Sequence, residues 1–182
     1  MDLRRHCELM AEYHGWAYAL LYEQVDRLDD ERYRLDTGLF FRSIHGTLNH
    51  LLLVDHLWYG RMTGEPWPIA TLADELESER AALKAQLMDR SGIWRRHLDR
   101  LSDAELAGTA AYRKIDGTPT RLPRASCILH VFNHGTHHRG QVSAALTQFG
   151  GLAPEIDLPY FLHTLAPAAL EIEPGPGDVA PQ

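Results

Sequence analysis

The chain has 182 residues, 45% of them hydrophobic, which is enough for one core and short of two. Its 25 acidic residues outweigh 18 basic ones for a formal charge of −7, and the bases are scattered, so nucleic acid is disfavoured as a partner. No run approaches the roughly 20 apolar residues of a membrane span, and Cys7 and Cys127 lie in apolar patterns that suit a reducing compartment better than a disulfide, so a cytoplasmic protein without a membrane partner is expected.

Leu3, Cys7, Met10, His14, Ala17, Leu21 and Leu28 recur at three- and four-residue spacing, which predicts a long amphipathic helix over Leu3 to Leu28. His14 falls on its apolar seam and reads as a core histidine bonded to a neighbour rather than as a ligand. The charged run Asp29 to Gly38 reads as a connection. A second helix is predicted from about Phe41 to Met62, stopped by Gly64, Pro66 and Pro68. It is apolar almost all round: Leu52, Leu53, Leu57 and Trp58 spread over several faces and exceed what one bundle covers, so a homodimer is expected. At about 100° per residue, Arg42, His45, Asn49 and His56 share one narrow polar strip, whereas His50 points inward.

Leu72 to Leu101 predicts a third helix introduced by Thr71, with the run ESERAALKAQ as a solvated face. Ser102 to Glu105 has the capping-box pattern of a short helical turn. Next, AYRKI and TPTRL flank Asp116-Gly117, a two-residue hairpin signal, with Pro119 confining the second arm to an edge. A fourth long helix is predicted from about Arg124 to Phe149, ended by Gly150-Gly151, and a short closing helix over Asp157 to Leu165. The expected organisation is one all-α domain over residues 1–168, a four-helix bundle with a small hairpin or loop before the last long helix, followed by a flexible Pro- and Gly-rich tail over 169–182.

The fourth helix carries HVFNHGTHHRGQ, which holds four of the eleven histidines. His130, His134 and His138, each four apart, stack on one face, while His137 turns aside by about 100°. A pair of imidazoles at that spacing makes half of a metal site, and an inward residue on another helix must complete it. His50 with His134 and His138 meets that need. Three neutral imidazoles suit zinc or nickel first, with iron or manganese behind them, and they leave a coordination position open, as a catalytic site requires. Such an ion can activate water or ionise a thiol. His130 competes for a ligand position but is given a supporting or core role. His137 reads as a hydrogen-bonding or interface residue. Gln141, nearly in register with His134, is a candidate to orient a water or substrate. Arg139 reads as the partner of a carboxylate, at the site or in a structural salt bridge. Asp55 is the acid nominated as general acid or base should the chemistry be hydrolysis.

Three segments, YHGWAYALL (Tyr13 to Leu21), SIHGTLNHLLLVDHLWYGR (Ser43 to Arg61) and HVFNHGTHHRGQVSAAL (His130 to Leu146), together resemble the DinB/YfiT-like family over roughly Leu3 to Leu165. The resemblance implies an up-down-down-up bundle, homodimeric, with a divalent metal held by one histidine of the second helix and two of the fourth, which match His50, His134 and His138. Better-studied relatives are thiol-dependent enzymes, among them S-transferases that use bacillithiol and an isomerase that uses mycothiol. The resemblance thus implies a metal-dependent, thiol-dependent transferase with a low-molecular-weight thiol as cosubstrate and a small-molecule substrate. A metal-dependent hydrolase and a non-enzymatic, stress-associated binding bundle are the alternatives.

Overall fold

Four long helices form where the apolar periodicity lies, and local signals set most of their ends. In the computed structural model, which describes residues 2–165, α1 spans Leu3–Val25 and starts at Asp2, whose carboxylate accepts the Arg5 N–H. A short helix α2 (Asp30–Arg34) follows, capped by Asp29, so the stretch read as a plain connection holds one helical turn. Helix α3 spans Ile44–Thr63, with the Ser43 hydroxyl accepting the Gly46 N–H at its start. It ends at Gly64, whose φ of +82° gives the left-handed cap that glycine adopts without strain. Helix α4 spans Arg80–Arg100, and α5 (Asp103–Ala107) carries the complete Ser102/Glu105 capping box. Strands β1 (Thr109–Arg113) and β2 (Pro119–Pro123) pair antiparallel. Helix α6 spans Arg124–Gln148 and α7 spans Leu158–Leu165. The tail over 169–182 lies outside the described residues. No helix among the described residues is long and apolar enough to cross a membrane.

Side-chain pairs along each interface give the helix directions. Arg4 reaches the Leu98 carbonyl and Arg80 the Leu28 carbonyl, so α1 and α4 are antiparallel. On α3, Asp55 meets Arg90 while Tyr59, one turn on, meets His97, so α3 and α4 run parallel. Arg124 bonds the Met62 carbonyl while His50 lies against His134, so α3 and α6 are antiparallel. Phe132 sits on His14 and Arg139 on Tyr18, so α1 and α6 run parallel. The bundle is up-down-down-up. Among the described residues three apolar clusters form the core, one around Tyr18, Leu48, Leu52 and Val142, one around Cys7, Trp94, Ile128 and Phe132, and a smaller one where Leu9, Tyr13 and Ala17 of α1 meet Phe161 of α7. Both cysteines are buried and free.

Parallel α3 and α4 need a connection that runs back along the bundle, and that requirement corrects the third helix. Residues 64–79 are not helical, although Leu72 and Leu76 hold helical spacing. They form a crossover laid along α3, and its backbone groups find partners there. The Asn49 amide accepts the Leu76 and Glu77 N–H groups, each at 2.9 Å, and donates to the Glu77 carbonyl at 2.9 Å. Asp74 accepts from the backbone of Ala70 and Thr71, so Thr71 belongs to a loop turn rather than a helix cap. The crossover also buries what looked like a polar strip: His45 and Asn49 are 4% and 2% exposed. Leu52, Leu53 and Leu57 are buried within one chain, Leu52 in the core of the bundle, while Trp58 stays half-buried. The hairpin differs as well: the Lys114 N–H bonds the Thr118 carbonyl around Ile115, Asp116 and Gly117, a three-residue loop with Gly117 left-handed at φ +82°.

Asn49→Ala should cost about 2–4 kcal/mol of unfolding free energy, since it leaves two backbone donors and one acceptor of the crossover without partners. Urea denaturation followed by circular dichroism checks this, and a loss under about 0.5 kcal/mol would show that the crossover does not depend on that amide.

Candidate metal centre

His50 comes from α3 and His134 and His138 from the antiparallel α6, where four-residue spacing brings the last two rings edge to face with centroids 4.4 Å apart. The Nε2 atoms of His50 and His134 are 3.0 Å apart, and one ring nitrogen from each of the three histidines lies within 4.8 Å of the others. His50 and His138 are buried and His134 is half-buried. Phe41 stacks on the His50 ring at 3.8 Å and closes one side.

The outer nitrogens determine the tautomers. His50 Nδ1 is 2.8 Å from the Leu72 carbonyl, which can only accept, so Nδ1 carries the proton and Nε2 presents a lone pair to His134. His138 Nδ1 donates to Gln141 Oε1 at 2.7 Å, and the Gln141 amide nitrogen lies 3.3 Å from His137 Nε2. His50 and His138 thus both turn an unprotonated Nε2 inward. With two lone pairs converging, the 3.0 Å contact needs a proton on His134 Nε2 or a cation in its place. Neutral imidazole nitrogens converging in this way form a group that could hold a metal ion.

Burial keeps these rings neutral. It lowers the His50 pKa to about 4, against the opposing Leu72 hydrogen bond. It lowers His134 to about 3, with the neighbouring His138 and His50 adding to the effect. His138 is lowered by burial as well, partly offset by Gln141. Neutral imidazole is the form that binds a metal, so protons compete weakly here near neutrality.

His50 and His134 open onto a cleft of about 580 Å³ whose walls include Val54, Trp58, Leu72 and His130. His130 is therefore on the cleft wall, against Trp58, and its pKa is lowered by burial and by Arg61. Gln141 is turned to His138 and His137, and its contact with His138 Nδ1 fixes that ring's tautomer. His137 is exposed and lies beside His138. Asp55 is elsewhere. Its two oxygens accept from Arg90 Nε and Trp94 Nε1, each at 2.7 Å, which makes it a buried link between α3 and α4 and removes it as an acid or base for this cleft. Arg139 has no carboxylate partner among the described residues: fully buried, it bonds His14 Nδ1 at 3.0 Å and Thr136 at 3.1 Å. His14 is the core histidine expected, held neutral by burial and by Arg139.

Gly135 was passed over in the sequence. A Cβ there would come within 2.6 Å of His14 and 2.8 Å of Arg139, so the residue beside His134 must be glycine for that buried pair to fit. A lone glycine inside a helical pattern is the signal that could have found it.

A bundle of this chain order, with one histidine of α3 and two of α6 turned to a common point, is a defined class of helical protein, and comparison with family models names it. The chain belongs to the DinB family, whose model matches residues 3–173. It is also 27% identical over 155 residues to a protein called Protein DinB from Bacillus subtilis (strain 168), a match that covers 83% of this chain and 90% of that protein.

The metal-free protein should lose stability in acid. The unfolded chain takes up protons near the reference histidine pKa of about 6.5, whereas folded His50 and His134 hold off until about 4 and about 3. Between those values the unfolded state binds more protons, so stability rises with pH, is complete above about 6.5 and falls away below it. The urea midpoint of chelator-treated protein should drop between pH 7.5 and pH 5, and an unchanged midpoint would contradict the burial of neutral rings.

Proposed function

We propose that this protein is a divalent-metal-dependent enzyme of the thiol-transferase type, with His50, His134 and His138 holding the ion. The observation that carries the reading is the pair of fixed tautomers: Leu72 and Gln141 hold the outer protons of two rings, so that bare Nε2 atoms face one point. Zinc or nickel suits that nitrogen set best, with iron or manganese behind them. A bound divalent ion supplies positive charge that ionises a thiol at neutral pH. The chain does the rest. Val54, Leu57 and Trp58 give the cleft an apolar wall that sheds water and receives the apolar part of an electrophile. His130, neutral and on that wall, is placed to take at its ring nitrogen the proton that a thiol gives up.

The resemblance to thiol-dependent enzymes supports the thiol over water as nucleophile, and the hydrolase alternative loses Asp55, the acid nominated for it. A reducing cytoplasm suits both a free thiol cosubstrate and the two free buried cysteines. A homodimer belongs to the proposal on the family resemblance alone, and sedimentation at micromolar concentration tests it.

His134→Ala and His138→Ala should each abolish tight binding of one divalent ion per chain while the helical circular dichroism persists, and His137→Ala should keep the ion. Gln141→Ala should weaken metal affinity by about 10- to 100-fold, because the outer partner of a ligand is lost. Unchanged stoichiometry in both histidine variants would sink the site. Calorimetry of a small thiol into metal-loaded protein, run in two buffers of different ionisation enthalpy, should show proton release. Thiol binding without proton release, or none at all, would leave the metal site standing and remove the thiol chemistry.

A further inference from the structure

The Arg61 side chain, on the cleft wall, makes no hydrogen bond to any of the described residues. Other buried or half-buried arginines are committed: Arg90 to Asp55, Arg124 to the Met62 carbonyl at the end of α3, and Arg80 to the Leu28 and Val25 carbonyls at the end of α1. Arg139, bonded to His14 and Thr136, is closed off from solvent. Arg61 has none of these. Its Nε is buried without an acceptor among the described residues, and burial lowers its pKa, opposed by Tyr112 and Cys127 beside it. It is held in place all the same. The guanidinium lies 4.6 Å from the ring centroids of both Trp58 on α3 and Tyr112 on β1, an aromatic clamp that orients the planar fork without using its N–H groups.

Its position relative to the histidines gives the arrangement meaning. Arg61 and Lys114 line the cleft that ends at His50 and His134, and both also line the adjoining cavity of about 420 Å³ bounded by Gly60, Trp67 and Tyr112. The two spaces meet along this pair of cations. Asp116 is the acid on the same wall, and it accepts the Thr118 N–H at 2.9 Å inside its own turn, which also depresses its pKa. In a chain of net charge −7, this end of the cleft is locally cationic.

We propose that Arg61 and Lys114 form an anion subsite for the ligand whose other end reaches the three histidines. That ligand is an elongated small molecule with a carboxylate or phosphate at the far end. A guanidinium fork takes either group in two-point fashion, and the aromatic clamp removes much of the ordering cost. Length follows from the helix: Arg61 is eleven residues beyond His50 on α3, about 16 Å along its axis. A two- or three-carbon thiol acid is too short to touch both ends, whereas a molecule of tripeptide size is long enough. The role of the histidines as the reacting end rests on the thiol-transferase reading; the anion subsite does not.

The test uses metal-stripped full-length protein, in which thiolate coordination cannot contribute, and titrates it by calorimetry with S-methylglutathione, a thiol-blocked tripeptide carrying two carboxylates. Inorganic phosphate is the second anion and N-acetylcysteamine the uncharged comparison. S-methylglutathione should bind and weaken as salt rises, and N-acetylcysteamine should not bind. Arg61→Gln should weaken the peptide by about tenfold or more and Lys114→Gln by a smaller factor, with Arg96→Gln, on the exposed face of α4, unchanged. Displacement of the peptide by millimolar phosphate would assign the subsite to phosphate esters, and indifference to phosphate would assign it to carboxylates. Circular dichroism checks that Arg61→Gln folds, and Lys114→Gln, on the exposed hairpin turn, decides the matter if it does not. No binding by the unsubstituted protein, or binding that ignores both substitutions, overturns the subsite. Anion binding that persists in stripped protein while the metal-loaded form shows no thiol proton release keeps the subsite and removes the thiol chemistry.

Discussion

Two helices that lie side by side and point the same way cannot be joined by a tight turn. The chain must travel back the length of the bundle, and here it does so as sixteen residues of non-helical backbone laid along α3. Such a segment is costly unless its polar groups are satisfied. Two neighbouring residues of α3 satisfy them: the Asn49 amide takes Leu76 and Glu77, and the His50 ring takes the Leu72 carbonyl. The same segment covers His45 and sets the protonation of His50 in the histidine cluster. Topology, core and site thus meet on two consecutive side chains.

Local order was readable where a helical period carried the signal. The periods of α1, α3 and α6 place those helices to within a few residues, and the Ser102 box and the Asp116-Gly117 turn announce themselves by residue type. The three histidines were equally legible, because a spacing of four fixes two rings on one helix and angular position singles out the third. What failed was whatever depends on a distant partner. Leu72 and Leu76 keep a helical rhythm, yet an amide some 27 residues away outbids the helix for their segment. Asp55 could be nominated as an acid or base, or as a buried partner of a neighbouring helix, and the partners that decide between the two, Arg90 and Trp94, lie in a stretch that showed no chemistry. The support that Leu72 gives His50 was not readable at all: it comes from a backbone carbonyl, and any residue supplies one.

The site has a charged neighbour on the other side of α6. Arg139 is buried one residue beyond His138 and faces α1, where His14 and the rings of Tyr13 and Tyr18 receive it. Its charge is met by a neutral imidazole lone pair and two aromatic faces, with no carboxylate among the described residues, and Gly135 leaves the room it needs. Glycine inside a helix costs about 0.5–1 kcal/mol relative to alanine. The chain accepts that cost next to His134, which ties the helix bearing two histidines to α1 at the same level. One face of α6 is thus committed to the histidine cluster and the opposite face to an unusual buried cation.

The parallel pair also bears on how quickly the chain reaches its structure. An up-down-up-down bundle can zip from one helical hairpin to the next, each contact closing a short loop. In this order α1 finds its neighbours in α4 and α6, so Val25 must wait for Arg80, and His14 for Phe132 and Arg139. The hydrogen bonds of the α3–α6 seam join residues from 62 to 84 apart. Loop closure therefore precedes many of the contacts between the long helices, which raises their sequence separation above that of a sequentially wound bundle. Slower folding than such a bundle of equal length is the expectation, with the crossover, whose hydrogen bonds need α3 already formed, settling late.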